Sequence, residues 1–517
     1  MRSFNTAGPV KPDTHYCIPP LSRIDLDEAL GLVRDEKYFV LHAPRQTGKT
    51  SALLALADVL NERGYHCVYV TVETARTARD DVERAMRTVL FRLASEARET
   101  LDDGFLDDIW QDALARAGAD EALGEALSRW AQASPRPLVL LIDEIDTLTG
   151  DSLLSVLQQL RAGYPKRPER FPQSVVLCGM RDVRDYRMGA TGSPFNIAAE
   201  SLRLGDFSRK ETLALLGQHT EETSQAFAPE ALEAVWTQTR GQPWLVNALA
   251  HGACFKNKAQ REDRSRTVTA NDIAAVRENL IVNRVTHLDY LADKLREERV
   301  RRVIEPMLSG GERRASGRDV EYARDLGLVA QGAPVRIANA IYAEVIPREL
   351  AWVVQEELEQ DPAPFVQAAG SLDAALLMEE FQGFFRRHSE HWRNRFAYEE
   401  AWPQLLLQAY LQRVVNGGGR IEREYALGSG RVDLLIVWPL AERVQEFAVE
   451  CKVVRERDGL ESVIDEGVKQ TAGYVERCAA EAGHLVVIDQ RENRSWEEKI
   501  FRVQRAAGGL HVDVWGM

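Results

Sequence analysis

Four short apolar runs alternate with longer helical stretches in the N-terminal third of the chain. The runs are Tyr38–Leu41, Cys67–Val72, Leu138–Ile142 and Ser174–Cys178, and each is too short to be a helix. Strands that alternate with helices form a parallel sheet that is covered on both faces. Ligands of such sheets bind beside the carboxyl ends of the strands. The pattern therefore predicts an α/β fold and directs attention to the loops that follow these runs.

The loop after the first run has a phosphate-binding pattern. It reads Ala43-Pro-Arg-Gln-Thr-Gly48-Lys49-Thr50 and leads into a predicted helix at Ser51–Leu60. This is G-x-x-x-x-G-K-S/T with alanine at the first glycine position. Backbone amides of such a loop cradle phosphate, its lysine reaches the terminal phosphates, and its hydroxyl ligates Mg²⁺. The residues predicted here to bind a nucleotide are Ala43, Gln46, Thr47, Gly48, Lys49, Thr50 and Ser51.

Two carboxylates follow the third apolar run directly. Asp143 and Glu144 end a strand that is buried by its composition, where an unpaired charge would be costly. We expect Asp143 to hold Mg²⁺ through water, and Glu144 to orient or deprotonate the attacking water. Asp146 has two interpretations, a supporting carboxylate or, as the favoured one, a helix N-cap.

With these motifs, residues 10–350 resemble the AAA-like ATPases, specifically the signal-transducing STAND branch. Arg181, just after the fourth run, matches the branch's sensor arginine. Pro243, in Gly-Gln-Pro, matches a turn near the nucleotide in the helical lid, and residues 335–350 resemble the end of a small winged-helix domain. The resemblance implies ATP and Mg²⁺ as cofactors, slow turnover, and a homo-oligomer that changes its assembly state on sensing a signal.

The C-terminal third contains a second arrangement of charged residues. Asp433 lies on one predicted strand, and Glu450-Cys451-Lys452 lies on the next. Strand alternation puts Glu450 and Lys452 on one face, and burying charge on an apolar strand needs a partner or a metal. Oxygen ligands from Asp433, Glu450 and the Cys451 carbonyl suit Mg²⁺. Lys452 would then position or deprotonate a nucleophile.

This spacing resembles the PD-(D/E)xK nuclease superfamily over residues 395–490. The residues to which the resemblance assigns catalysis are Asp433, Glu450, Lys452, Gln470 and Tyr474. Val432 stands in the place of the proline, and the glutamate that many members carry on the first helix is Glu399 or Glu400. The resemblance implies a restriction-endonuclease-like α/β/α domain.

The predicted organisation is a multidomain α/β protein. Its segments are a P-loop ATPase core at 1–204, a helical lid at 205–285, a winged-helix-like domain at 286–350, a linker and helix at 351–394, and a nuclease-like domain at 395–517. A length of 517 residues suits three or four domains of about 150 residues.

Composition excludes several classes of protein. The six cysteines form no CxxC pair, which argues against a disulfide framework and a structural zinc site. No apolar run approaches the length of about 20 residues that spans a bilayer, so we expect a cytoplasmic protein without membrane contact. A net charge of −14 confines any nucleic-acid contact to a local surface.

The combined motifs predict an ATP-regulated, Mg²⁺-dependent nuclease that acts on nucleic acid, with DNA favoured over RNA. Proteins of this construction resemble bacterial antiphage or mobile-element defence systems. One alternative is a nucleotide switch whose nuclease-like domain only binds DNA or a partner protein. A second alternative is a motor that translocates DNA, which ranks lower because helicase motifs are not visible.

Overall fold

The computed structural model describes residues 1–180, 198–282, 286–309, 315–357, 365–367, 370–393, 401–415, 419–425, 432–440 and 443–517. The chain divides into two compact units. The first comprises Met1–Leu280 with Arg324–Gly327, and the second comprises Ile281–Ala323 with Leu328–Met517. Each unit is built around a sheet of its own.

The first unit contains a five-stranded parallel sheet in the order β2-β3-β4-β1-β5. Its strands are β1 (Tyr38–His42), β2 (His66–Thr71), β3 (Leu138–Asp143), β4 (Ser174–Gly179) and β5 (Ala198–Arg203). The four strands predicted from the sequence are confirmed. The sequence analysis missed β5, an edge strand of mixed composition that pairs with β1 alone among the described residues.

Helices cover this sheet and form the rest of the first unit. They are α1 (Leu26–Arg34), α2 (Lys49–Glu62), α3 (Val82–Leu101), α4 (Phe105–Ala117), α5 (Ala122–Ala133), α6 (Gly150–Gly163), α7 (Arg209–Thr223), α8 (Pro229–Thr239), α9 (Pro243–His251), α10 (Lys258–Glu262) and α11 (Ala270–Val282). Phe39 and Leu41 pack into one core with residues of α1 and α2, whereas Val40 packs into another core with α3, α5 and α6. Alternate strand residues thus bury both faces of the sheet.

The turn before α9 has a constrained backbone. Gly241 has a φ of 84°, and the Gln242 side chain caps α9 by accepting a hydrogen bond of 2.6 Å from the Leu245 backbone N–H. Pro243 occupies the first turn of α9, where a missing N–H costs nothing. This local chemistry fixes the direction in which α9 starts.

The second unit begins with helices and ends with a sheet. Its helices are α12 (Thr286–Leu295), α13 (Glu298–Ser309), α14 (Gly317–Asp325), α15 (Ala340–Glu357), α16 (Ala374–Arg393), α17 (Trp402–Val415), α18 (Leu460–Cys478) and α19 (Trp496–Lys499). An antiparallel bridge joins Val329 to Ile337 ahead of α15. These elements occupy the segment for which a winged-helix domain was expected, and that assignment stays a prediction.

The second sheet is mixed and six-stranded, in the order β10-β11-β9-β8-β7-β6. Its strands are β6 (Arg420–Tyr425), β7 (Val432–Pro439), β8 (Val444–Val454), β9 (Ala482–Asp489), β10 (Phe501–Ala507) and β11 (Leu510–Gly516). The pairs β6–β7, β7–β8 and β10–β11 are antiparallel, and β9 is parallel to β8 and β11. The crossover from β8 to β9 is α18, which packs on both strands.

Two bulk features agree with the composition. All six cysteines are free thiols. Within the described ranges, no helix combines the length and the apolar character that crossing a membrane requires.

Gly241 gives a test of the turn before α9. A Cβ atom at this position would lie 1.8 Å from the Phe207 carbonyl oxygen, whereas a Cβ at Gly64, where φ is 91°, would meet nothing within 4 Å. We expect Gly64→Ala to destabilise the protein by about 1–2 kcal/mol through its left-handed backbone alone. Gly241→Ala should cost more, measured by chemical denaturation. Equal losses in the two variants would contradict the contact with Phe207.

Candidate functional site

The loop between β1 and α2 is tightly turned and borders a cavity. Gly48, with a φ of 91°, directly precedes the first residue of α2, and Gln46 has a φ of 57°. The Thr47 hydroxyl donates a hydrogen bond of 2.8 Å to the Pro44 carbonyl oxygen. Residues 46–51 line one wall of a cavity of about 430 Å³. The N-terminus of α2, where backbone N–H groups are unpaired, therefore borders this space.

Lys49 is buried within this loop. Its side chain is 6% exposed, and Nζ donates hydrogen bonds of 3.1 Å to the carbonyl oxygens of Ala43 and Pro44. Both acceptors are neutral, and no described carboxylate lies within ion-pair distance of the ammonium. A buried cation held this way has a strong attraction for an anion that enters the cavity.

Asp143 ends β3 and is 1% exposed. Its Oδ1 accepts a hydrogen bond of 2.9 Å from the Glu144 N–H, and its Oδ2 accepts hydrogen bonds from the Thr50 hydroxyl at 2.7 Å and the Tyr69 hydroxyl at 3.1 Å. The carboxylate and the Thr50 hydroxyl are adjacent oxygen donors in the wall of the cavity. This donor set fits Mg²⁺.

Glu144 lines the same cavity and has a φ of 57°. Burial raises the pKa of Glu144 above the usual glutamate value, and the negative charges of Asp143 and Glu73 act in the same direction. The cations Lys49 and Arg45 oppose this shift. A carboxylate with an elevated proton affinity beside the predicted phosphate site is suited to accept a proton from water.

Asp146 and Arg181 were expected near this site. The N-cap interpretation of Asp146 is wrong, because its side chain accepts a hydrogen bond from the Met180 backbone N–H, and Thr149 is the residue that precedes α6. Asp146 thus contacts the end of β4 instead of capping a helix. Arg181 lies outside the described residues.

The opposite wall of the cavity comes from the N-terminal segment, which the sequence analysis missed. The Val10 N–H donates a hydrogen bond of 3.0 Å to the Ser51 hydroxyl oxygen. The Arg23 guanidinium donates to the Thr47 carbonyl oxygen at 2.6 Å and to the Gly205 carbonyl oxygen at 3.1 Å. The sequence of this segment has scattered prolines and no helical or strand periodicity, so it does not reveal a binding wall.

Helix α9 lines the cavity together with that segment, through Pro243, Trp244 and Asn247. The Trp244 indole N–H donates to the Thr6 carbonyl oxygen at 2.9 Å, and the Asn247 side-chain oxygen accepts from the Asn5 N–H at 3.1 Å. The N-terminal segment therefore bonds to both the phosphate loop and α9.

Residues 33–186 match the sequence profile of the AAA domain family. The chain therefore contains an AAA-type P-loop ATPase domain. The match includes the loop with Lys49 and the strand that ends at Asp143, so the nucleotide-binding assignment of the cavity agrees with it. The AAA domain family implies a nucleotide and Mg²⁺ as ligands of this domain.

Several solved structures are similar to this chain. A Walker-type ATPase of Pyrococcus abyssi is 14% identical, with a TM-score of 0.47, over 66% of this chain and 99% of that one. Cdc6p of Pyrobaculum aerophilum is 14% identical, with a TM-score of 0.36, over 63% and 93%. The ORC1 protein of Aeropyrum pernix, solved in complex with DNA, is 14% identical, with a TM-score of 0.36, over 64% and 82%. No curated protein sequence matches the chain.

The second unit brings several of the other predicted residues onto one sheet face. The backbone of Asp433 on β7 lies directly opposite Glu450 on β8, while the Asp433 side chain is outside the described part of the structure. Glu450 is 3% exposed, and its Oε1 lies 2.7 Å from Lys452 Nζ. The contact is an ion pair without a well-directed hydrogen bond. The AAA-type ATPase domain contributes none of these residues.

Helix α18 covers this face. A Cβ atom on Gly467 would lie 3.3 Å from Lys452 Cγ, so the helix approaches β8 closely there. Tyr474, two turns later, is buried in an apolar cluster that includes Ala448. Gln470 lies between these two positions on α18, and its amide donates a hydrogen bond of 3.1 Å to Glu466. Helical spacing therefore puts Gln470 along the stretch of β8 that contains Glu450.

Among the described residues, Gln470 Oε1 has no hydrogen-bond donor, and Glu450 Oε1 has the Lys452 ammonium 2.7 Å away without a well-directed hydrogen bond. Buried acceptors of this kind fit a cation. Burial raises the pKa of Cys451 to about 12, so its thiol stays protonated and only its carbonyl is a reasonable Mg²⁺ ligand. No group of three or more described His, Cys, Asp or Glu side chains forms a metal cluster. Glu399 and Glu400 lie outside the described residues.

Replacing Lys49 should abolish tight nucleotide binding. The ammonium would make several charge-assisted hydrogen bonds to phosphate, so Lys49→Ala should lower ATP affinity about a hundredfold or more. Titration calorimetry measures the effect. Lys210→Ala, which removes an exposed cation from α7, is the control and should bind as the unmodified protein does. Unchanged affinity in Lys49→Ala would refute the phosphate-loop assignment.

The raised pKa of Glu144 predicts a pH dependence of hydrolysis. The base must be deprotonated, and a raised pKa means that protonation begins at a higher pH than for an ordinary glutamate. The acid limb of single-turnover ATP hydrolysis should therefore have a midpoint above 4.5, the usual value. Glu144→Gln should bind ATP, but its rate of hydrolysis should fall by about a hundredfold or more. A midpoint at or below 4.5, with binding intact, would contradict this role.

Proposed function

We propose that the protein is an ATP-regulated, Mg²⁺-dependent nuclease. In this proposal the nucleotide state of the AAA-type ATPase domain controls cleavage of nucleic acid by Asp433, Glu450 and Lys452. The observation that carries the proposal is the buried ion pair of Glu450 and Lys452 opposite Asp433 in the strand register. A strand interior is an unfavourable place for this pair unless the charges serve chemistry.

The residues on this face have distinct chemical roles in the proposal. Asp433, Glu450 and the Cys451 carbonyl would hold Mg²⁺, which when bound polarises phosphate and activates water. Lys452 is the more exposed member of the ion pair, with a side chain 13% exposed, and it would orient or deprotonate the nucleophile. Gln470 would fix the orientation of the site from α18. Tyr474 belongs to the apolar cluster and would support α18 without contacting substrate.

The proposed substrate is DNA. The total charge of −14 requires a local cationic surface for phosphate binding. Arg455 and Arg457 follow β8 directly, and the exposed Lys469 precedes Gln470 on α18. In the proposal these cations are the candidates for contacts with the phosphodiester backbone.

We further propose STAND-type regulation in a homo-oligomer. The N-terminal segment bonds to the phosphate loop through Val10 and Arg23 and to the lid through Asn5 and Thr6. Nucleotide that fills the cavity would therefore change the bonding of lid and loop together. An unregulated nuclease harms its own cell, which supports a role for this switch in bacterial antiphage or mobile-element defence.

A second candidate is a nucleotide switch whose C-terminal sheet binds DNA or a partner protein without cutting. The 2.7 Å ion pair between Glu450 Oε1 and Lys452 Nζ favours it, because each charge already has a partner in this pair. In that case Glu450 and Lys452 would be a binding pair. The two candidates differ in whether phosphodiester bonds are broken.

Cleavage of plasmid DNA with Mg²⁺, with and without ATP, separates the candidates. We expect nicking or linearisation by the unmodified protein and a decrease of about a hundredfold or more in Asp433→Ala and Lys452→Ala. Glu497→Ala, which removes an exposed carboxylate from α19, is the control. An RNA of matched length in a parallel reaction identifies the substrate class. Equal loss of DNA with all variants would exclude the nuclease.

A further inference from the structure

Tyr69 has a position that the phosphate-loop motif does not explain. It lies on β2, is half-buried, and lines the nucleotide cavity. Strand β2 pairs in parallel with β3, and Thr71 lies opposite Asp143. Tyr69 is two residues before Thr71, so its side chain leaves the same face of the sheet as that of Asp143. The Tyr69 hydroxyl donates a hydrogen bond of 3.1 Å to Asp143 Oδ2 from this strand.

The hydrogen bonds of Asp143 show what Tyr69 contributes. Oδ1 accepts from the Glu144 N–H, while Oδ2 accepts from the Thr50 hydroxyl at 2.7 Å and the Tyr69 hydroxyl at 3.1 Å. Thr50 belongs to the start of α2, directly after the phosphate loop, whereas Tyr69 belongs to β2 in the sheet. The hydrogen bond from Tyr69 therefore holds the carboxylate from an element other than the phosphate loop.

The chemistry of the phenol suits this task. A tyrosine phenol is protonated at neutral pH, so the Tyr69 hydroxyl can donate to the Asp143 carboxylate. A carboxylate that is 1% exposed requires such donors to keep its charge and its orientation.

We infer that Tyr69 is a positioning residue for Mg²⁺ in the ATPase site, whose hydroxyl holds Asp143 in the orientation that lets Asp143 and Thr50 bind the metal together. Tyr69 acts through Asp143 and does not contact the nucleotide. Removing its hydroxyl should therefore weaken the Mg²⁺-dependent part of nucleotide binding. The part that depends on Lys49 and the loop amides should remain.

The test compares Tyr69→Phe with Tyr65→Phe, which removes a hydroxyl from the residue just before β2 in the wall of a different cavity. A fluorescent ATP analogue is titrated in EDTA and at a series of free Mg²⁺ concentrations. In Tyr69→Phe, the Mg²⁺ concentration that gives half of the maximal increase in ATP-analogue binding should rise about tenfold. This is the effect expected from the loss of one hydrogen bond to a charged group. Binding in EDTA should match the unmodified protein, and Tyr65→Phe should behave normally in both.

Three results would overturn the inference. Equal weakening in EDTA and in Mg²⁺ would mean that Tyr69 contacts the nucleotide itself. An unchanged Mg²⁺ requirement would mean that the hydroxyl does not position Asp143. Tyr69→Met, which keeps an apolar side chain without a hydroxyl, should reproduce the shift of Tyr69→Phe. If only one of the two variants required more Mg²⁺, while both unfolded at the same temperature as the unmodified protein, the hydroxyl would not be the cause of the shift.

Discussion

The buried carboxylate of Asp143 is the interaction on which the nucleotide site depends. The carboxylate is 1% exposed, so it would become protonated or move unless hydrogen-bond donors replaced water. Three donors do so. Each donor comes from a different element: Thr50 from α2, Tyr69 from β2 and the Glu144 N–H from the end of β3. The three hydrogen bonds to the Asp143 carboxylate therefore connect the start of α2, strand β2 and Glu144 to one another.

Local patterns were sufficient for the residues that the phosphate motif itself defines. A buried strand followed by Gly48-Lys49-Thr50 predicts a helix N-terminus, and the structure has α2 starting at Lys49. The contribution of Tyr69 could not be predicted, because it arises from the pairing of β2 with β3 across three intervening helices. The N-terminal wall was missed for the same reason, since Val10 reaches Ser51 through space and has no distinctive neighbours in sequence.

Strand alternation was equally informative in the second unit, within limits. It predicted that Glu450 and Lys452 share a face, and the 2.7 Å contact between them agrees with that prediction. The close approach of α18 depends on Gly467, whose lack of a side chain leaves room for Leu485 and Lys452. The spacing of Gln470 and Tyr474 in the sequence did not reveal that the two residues differ. Gln470 has a buried oxygen without a donor among the described residues, whereas Tyr474 belongs to an apolar cluster.

The energetics of the Glu450–Lys452 pair bear on its purpose. A buried ion pair loses hydration energy that its attraction often fails to recover, and apolar residues of similar volume are commonly as stabilising or more so. Removing one member is worse, because the other charge is left buried alone. Stability alone therefore does not explain an ion pair on a strand whose neighbours Ala448 and Val449 are fully buried. The proposed nuclease would give the pair a purpose, because in that proposal the carboxylate holds a metal and the ammonium orients the nucleophile.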